Sequence, residues 1–105
     1  MVNCNIICTL YHAKWCGHCV NFKPEWKLLQ QQINRNSNII LEEFEEQQLG
    51  GNVQALINGK PIRGFPTLKI KITSGNKSVE YEYEGKRKAQ SILHHLQNDA
   101  IKNLK

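Results

Sequence analysis

The sequence predicts an α/β domain with a four-stranded mixed sheet flanked by about three helices. Short β-branched runs alternate with segments of helical periodicity along the chain. Near the end, two runs of alternating polarity are separated by a short turn, which is typical of a β-hairpin. The order is therefore β-α-β-α-β-β-α. We expect the first two strands to be parallel, the hairpin to be antiparallel, and helices to lie on both faces of the sheet.

The first half of the chain contains a strand and a long helix. Residues 5–11 are short, β-branched and apolar on both faces, which indicates a central buried strand. From about 16 to 33, apolar residues recur at i, i+4, i+7 and i+11, which predicts a helix with one buried face. Pro24 lies inside this segment, and we expect a kink there.

The second half contains the remaining strands and two helices. In chain order they are a strand at 38–44, a break at Gly50 and Gly51, a short helix at 53–57, hairpin strands at 67–73 and 78–83, and a helix from about 88 to 104. The last helix carries its apolar residues at four-residue intervals, as expected of a helix packed on a sheet.

Length and charge limit the classes of function. A chain of 105 residues can form one domain, residues 1–105, with a modest core. The net charge is +5, but the basic residues are dispersed and no nucleic-acid motif is present. No apolar run is long enough to span a bilayer, and the first residues do not resemble a signal peptide. We therefore expect a cytoplasmic monomer that binds neither nucleic acid nor membrane.

The stretch WCGHC holds Cys16 and Cys19, which could form a structural disulfide, half of a metal site or a redox pair. A C-x-x-C motif beside a β-α-β pattern is typical of redox proteins. Cys16 would begin the first helix, where free N–H groups and the helix dipole favour a thiolate. Cys19 lies one turn further on, close enough to bond with it. An exposed Cys16 would attack a substrate disulfide, and Cys19 would resolve the mixed disulfide.

The residues around this pair favour redox chemistry over metal binding. Gly17 would permit a tight start to the helix, and His18 would donate a hydrogen bond or positive charge to the thiolate. Zinc would need two more ligands, and Cys4 and Cys8 would lie about 13 Å apart in a strand. We expect these two cysteines to be plain buried thiols, and His12 to be a packed or surface residue. No metal or other cofactor is expected beyond the redox-active disulfide.

Several stretches together resemble the thioredoxin family, and in particular its protein disulfide isomerase domains. They are Tyr11, Ala13 and Trp15 just before CGHC, the proline five residues after the motif, the stretch IRGFPTLKI, and the stretch YEGKRKAQSIL. The resemblance begins at about Asn5 and covers nearly the whole chain. It implies a minimal thioredoxin fold that lacks the usual N-terminal strand and helix.

The resemblance also implies site residues. Pro66 would be cis and would face the cysteine pair, and the backbone of Phe65 would receive an extended substrate. Trp15 would lie at the rim and contact substrate. Arg87 matches an arginine that can swing toward the second cysteine and lower its pKa.

One departure from the family concerns proton transfer. The buried carboxylate that usually takes the proton of the second cysteine is replaced by Leu10, and its partner lysine is absent. We expect Glu43 or a water to help deprotonate Cys19 instead.

The function expected is thiol-disulfide exchange with protein thiols and disulfides. The alternatives are a non-catalytic thioredoxin-fold binding module and a metal- or iron–sulfur-binding dimer. The motif histidine resembles oxidants and isomerases, whereas a cytosolic setting favours a reductase, so the partner is either a reductase or a sulfhydryl oxidase. A cytosolic oxidation pathway, such as large DNA viruses maintain, would reconcile the two.

Overall fold

The main sheet has four strands in mixed orientation. The computed structural model describes residues 4–33, 37–51 and 53–104. Its strands are β1 (Cys4–His12), β2 (Ile39–Glu45), β3 (Leu56–Ile57), β4 (Lys60–Pro61), β5 (Thr67–Ser74) and β6 (Lys77–Glu82). The main sheet has the order β2-β1-β5-β6, in which β1 is parallel to β2 and antiparallel to β5. β5 and β6 form the antiparallel hairpin. The predicted mixed sheet, with the first strand in its interior, is confirmed.

The long helix α1 (Gly17–Gln32) follows β1 directly. Cys16 is its N-cap residue in extended conformation, and Ile33 is its C-cap, so the predicted bounds are confirmed. The buried face carries Cys19 together with three large apolar side chains, which are Phe22, Trp26 and Leu29. Pro24 lies inside α1, and the kink expected there stays a prediction. Across the residues that the structure describes, no helix combines the length and apolar character needed to cross a bilayer.

The last helical segment begins as α2 (Ala89–His94) and continues through a π turn, His95–Asp99, into a 3-10 turn, Ala100–Leu104. It corresponds to the helix predicted from about 88 to 104. Lys88 is the N-cap residue of α2, but its side chain makes no capping hydrogen bond. Instead, Glu25 of α1 accepts a hydrogen bond from the Ala89 N–H over 2.8 Å. This contact joins the start of α2 to the middle of α1.

Both helices pack on one face of the sheet. Alternate residues of a strand point to the same face, and those of β1 and β5 that enter the main core are Ile6, Cys8, Leu10, Leu68, Ile70 and Ile72. The buried side chains of α1 and of the segment that follows β6 belong to this same cluster. The expectation of helices on both faces is therefore wrong.

The opposite face is approached by a small hairpin where a helix was predicted. Residues 53–57 are not helical, because Leu56–Ile57 pairs with Lys60–Pro61 around a two-residue turn. Asn58 (φ 53°) and Gly59 (φ 79°) both have positive φ, as a type I′ turn requires. Asn58 donates its N–H to Glu80 over 2.6 Å, and Lys69 donates to the Leu56 carbonyl over 3.1 Å. These bonds hold the hairpin beside β5 and β6.

Candidate active site

The two cysteines of the motif lie at the N-terminus of α1, where they contact each other. The N–H of Cys19 donates a hydrogen bond to Cys16 Sγ over 3.2 Å, and the Cys16 thiol donates to the Phe65 carbonyl over 3.3 Å. All four cysteines of the chain are free thiols in this structure. Because Cys16 is the N-cap, its sulfur lies at the positive end of the helix dipole and satisfies one of the free N–H groups of the first turn.

The pair is more enclosed than the sequence suggested. Cys16 is 5% exposed and Cys19 8% exposed, so the expectation of an exposed Cys16 is wrong. The reason is that both sulfurs pack with Ala13 and Phe65 in a small apolar cluster. Cys16 is therefore largely covered by the groups around it.

An aromatic rim lies next to this cluster. The Trp15 side chain is 70% exposed, and its ring meets the ring of Phe65 edge-on at a centroid distance of 6.0 Å. Its indole N–H donates to Glu46 Oε1 over 2.7 Å, which fixes the ring in spite of its exposure. Val20, one turn into α1, is also exposed. Trp15 thus stands at the rim of the cysteine site, where the resemblance places it.

The loop before β5 brings Phe65 and Pro66 to the cysteines. The peptide bond between them is cis, as the resemblance implied, and Pro66 is buried. The Thr67 hydroxyl donates to the Gly64 carbonyl over 2.6 Å and fastens the loop. The backbone of Phe65 therefore lies within hydrogen-bond distance of Cys16.

Cys19 holds its proton tightly. Burial is the main cause that raises its pKa to about 11, and hydrogen bonding with the Cys16 side chain is the second. The positive charge of Arg87 acts in the opposite direction and lowers the pKa, without cancelling the effect of burial. Arg87 is held nearby by a hydrogen bond of 3.4 Å to the Pro66 carbonyl. Near neutral pH the thiol of Cys19 is thus protonated.

A cavity of about 340 Å³ lies behind Cys19. Its lining includes three apolar residues, Leu10, Trp26 and Pro66, and two polar ones, His12 and Glu43. Leu10 is buried, in agreement with the loss of a carboxylate at that position. The Glu43 side chain is half exposed, and it contacts His12, with 3.9 Å between Oε2 and Nε2.

Sequence reasoning overlooked His12, which was expected only to be a packed or surface residue. It lines the cavity together with Cys19. The alternation of β1 contains the necessary information, because His12 follows Leu10 by two residues and so shares its face of the sheet.

The two residues inside the motif are less constrained than expected. An added Cβ at Gly17 would meet no atom within 4 Å, and its φ is not positive. Gly17 permits this helix start, as expected, but the backbone geometry does not require glycine there. His18 is exposed, and among the described side chains no hydrogen bond joins it to Cys16.

The remaining cysteines lie in β1. Cys8 is fully buried, and burial raises its pKa to about 12, with a smaller contribution from Glu42. Cys4 is half-buried. Within residues 4–33, 37–51 and 53–104, no three His, Cys, Asp or Glu side chains gather in a group able to hold a metal ion.

A family model and two curated relatives show which known proteins this chain resembles. Residues 3–98 match the family model described as Thioredoxin. Protein disulfide-isomerase A3 of Gallus gallus is 30% identical over 94 residues, which are 86% of this chain and 17% of that protein. A probable protein disulfide-isomerase ER-60 of Schistosoma mansoni is 29% identical over 102 residues, 93% of this chain and 19% of that protein. The chain thus spans less than a fifth of the length of these curated relatives.

Solved structures resemble the chain in fold. The Trx4 domain of ERdj5 superposes with a TM-score of 0.72 at 21% identity, covering 91% of this chain and 80% of that one. The first two thioredoxin domains of Naumovozyma dairenensis Eps1p give a TM-score of 0.68 at 20% identity, covering 93% of this chain and 36% of that one. The sheet and helices described above are thus shared with these domains.

Proposed function

The chain belongs to the thioredoxin family, and we propose that it catalyses thiol-disulfide exchange on protein substrates as a single domain. Cys16 is the nucleophile and Cys19 the resolving thiol. One observation carries the proposal, which is the position of Cys16 Sγ at the start of α1, bonded to the Cys19 N–H and to the Phe65 carbonyl. The relatives named as protein disulfide-isomerases support the same chemistry.

The reaction has two exchange steps. The Cys16 thiolate attacks one sulfur of the substrate disulfide, a new S–S bond forms, and the other substrate sulfur leaves as a thiolate and takes up a proton. Cys19 then loses its proton and attacks Cys16 Sγ, which releases the second substrate sulfur. The substrate gains two electrons, and the pair is left as a Cys16–Cys19 disulfide. The same steps in reverse oxidise a substrate dithiol.

The substrate proposed is an extended polypeptide segment. The backbone of Phe65 would align it beside Cys16, and the exposed side chains of Trp15 and Val20 would contact its apolar residues. Apolar side chains flanking a disulfide are exposed mainly in unfolded or partly folded chains, so we propose such proteins as partners. A sulfhydryl oxidase would reoxidise the pair in an oxidative pathway, and a reductase would reduce it in a reductive one.

Trapping the first covalent intermediate tests the proposal. A reduced Cys19→Ser variant, incubated with a disulfide-bonded peptide, should accumulate a mixed disulfide through Cys16, as detected by mass spectrometry after acid quenching. Wild-type protein should release the reduced peptide, and Cys16→Ser should do neither. Cys4→Ser is the matched control, since this cysteine lies in β1 outside the site, and it should behave as wild type.

The enclosure of Cys16 favours one other function, a binding module that uses the aromatic rim without exchanging disulfides. In that case the peptide would bind while Cys19→Ser formed no covalent adduct. That outcome would contradict the catalytic proposal.

A further inference from the structure

The proposed function leaves one proton without an acceptor, and the inference drawn here rests on that function. Cys19 must become a thiolate to attack Cys16, yet burial raises the pKa of its thiol. Arg87 lowers this pKa, but it is a cation and cannot accept the proton. The resolving step therefore needs a base near Cys19.

The cavity behind Cys19 is suited to hold water. Its volume of about 340 Å³ is several times the roughly 30 Å³ that a water molecule occupies in the liquid. A water also needs two to four polar partners, and His12 and Glu43 are among the residues that line the cavity. Trp26 lines the same cavity, and its Nε1 is buried with no hydrogen-bond partner among the described residues. A buried N–H of this kind normally bonds to an ordered water.

We propose that His12, held by Glu43, accepts the proton of Cys19 through water in this cavity. The Cys19 S–H bond breaks, a water molecule takes that proton while passing another to the His12 imidazole, and His12 becomes an imidazolium. The Cys19 thiolate then forms the S–S bond with Cys16 as the substrate sulfur leaves. His12 returns its proton to solvent through the open side of the cavity, so that the cycle closes without another reactant.

Two carboxylates lie near His12. Glu43 lies 3.9 Å from its Nε2, and Glu45 is its register partner on β2. Both carboxylates line the cavity, as do two lysines, Lys14 and Lys23, which oppose the added charge. The carboxylates come from the strand paired with β1, and Glu43 directly contacts the ring.

The imidazole is a better acceptor than Glu43 itself. An imidazole is a stronger base than a carboxylate, and proton transfer from a weakly acidic thiol is more favourable to the stronger base. The Glu43 side chain is also the more exposed of the two, at 48% against 30% for His12. Glu43 is therefore a positioning residue, which contacts Nε2 and orients the ring.

The test follows the resolving step alone across pH. A mixed disulfide between Cys16 and a reporter peptide is formed first, and release of the peptide is then measured from pH 6 to 10. For His12→Asn and His12→Gln we expect release at pH 7 to slow by about tenfold or more. The rates should converge with wild type toward pH 10, where hydroxide removes the Cys19 proton directly. Glu43→Gln should slow release less at pH 7, and the exposed His94→Asn should not slow it.

Several outcomes would overturn the proposal, and they can be told apart. If His12→Asn and His12→Gln follow the same pH profile as His94→Asn, His12 is not the acceptor although the protein exchanges disulfides. A slowing that is equal at every pH would indicate a structural role and would also overturn it. If wild-type protein never forms the mixed disulfide, the proposed function itself fails. The rate of mixed-disulfide formation should be the same in all variants.

Discussion

The N–H of Cys19 donates a hydrogen bond to Cys16 Sγ over 3.2 Å, so the two sulfurs share one helical turn in different environments. The Cys16 sulfur receives an N–H group at the positive end of α1, which suits a thiolate. Burial, followed by hydrogen bonding with the Cys16 side chain, raises the pKa of Cys19 to about 11. This asymmetry supports Cys16 as the attacking thiol and Cys19 as the resolving thiol.

Removing the charge of Arg87 should slow the resolving step. Arg87 lowers the pKa of Cys19, so Arg87→Gln should raise that pKa and reduce release of a peptide from Cys16 by roughly two- to tenfold at pH 7. Arg87→Lys keeps the positive charge, so it should reduce the rate of peptide release less than Arg87→Gln does. The exposed Arg63 supplies the control, and Arg63→Gln should release the peptide at the wild-type rate. Equal rates for Arg87→Gln and Arg63→Gln would contradict the role of this charge.

Truncating Trp15 should separate access to Cys16 from peptide binding. Because the Trp15 ring leans on Phe65 beside an enclosed Cys16, Trp15→Ala should speed the reaction of Cys16 with a small aromatic disulfide reagent. The same variant should raise KM for a disulfide-bonded peptide several-fold, since an exposed apolar contact is lost. Leu28→Ala, at an exposed position further along α1, is the control and should change neither value. An unchanged KM in Trp15→Ala would exclude the rim as a binding surface.

The link between the two helices should contribute to stability. Glu25→Ala removes the acceptor of the Ala89 N–H at the start of α2 and should reduce the free energy of unfolding by about 1 kcal/mol. Glu25→Gln keeps a hydrogen-bond acceptor without the charge, so it should reduce the free energy of unfolding less than Glu25→Ala does. Urea unfolding followed by circular dichroism measures both, with Glu84→Ala as the exposed control. If Glu25→Ala and Glu84→Ala unfold at the same urea concentration, the hydrogen bond between Glu25 and the Ala89 N–H does not contribute to stability.

The buried thiol of Cys8 should make stability depend on alkaline pH. Burial raises its pKa from 9.0 to about 12, so the unfolded chain loses this proton at lower pH than the folded protein does. The contribution of Cys8 to stability is therefore complete below about pH 9 and is lost as pH rises toward 12. The difference in unfolding free energy between wild type and Cys8→Ala should narrow from pH 9 to 11. A constant difference over this range would contradict the raised pKa.

The sequence predicted correctly those helices and strands that are determined by the pattern of neighbouring residues. The apolar spacing of Phe22, Trp26 and Leu29 is sufficient to place α1, and the alternation on either side of Gly75 is sufficient to place the hairpin. The prediction of a helix at residues 53–57 was wrong, although the residues that follow contain a clear signal for a turn. Asn58 and Gly59 are a strong turn pair, and their positive φ values select a hairpin over a helix.

Other features depend on contacts between distant parts of the chain. Cys16 is enclosed because Phe65, 49 residues later, packs on it, and no local pattern shows that contact. The cavity behind Cys19 likewise forms between β1, β2 and α1. Residue spacing could show that His12 shares a face with Leu10, but it could not show that space remains between His12 and Cys19.

The equilibrium between the Cys16–Cys19 dithiol and its disulfide is the measurement to make first. The protein is held in graded mixtures of reduced and oxidised glutathione, and its free thiols are counted by alkylation and mass spectrometry. We expect one reversible two-electron transition confined to these two cysteines, with a midpoint between about −270 and −180 mV. Cys16→Ser should abolish it, while Cys4 and Cys8 stay reduced. If wild-type protein forms no reversible Cys16–Cys19 disulfide at any ratio, it does not catalyse thiol-disulfide exchange through this pair.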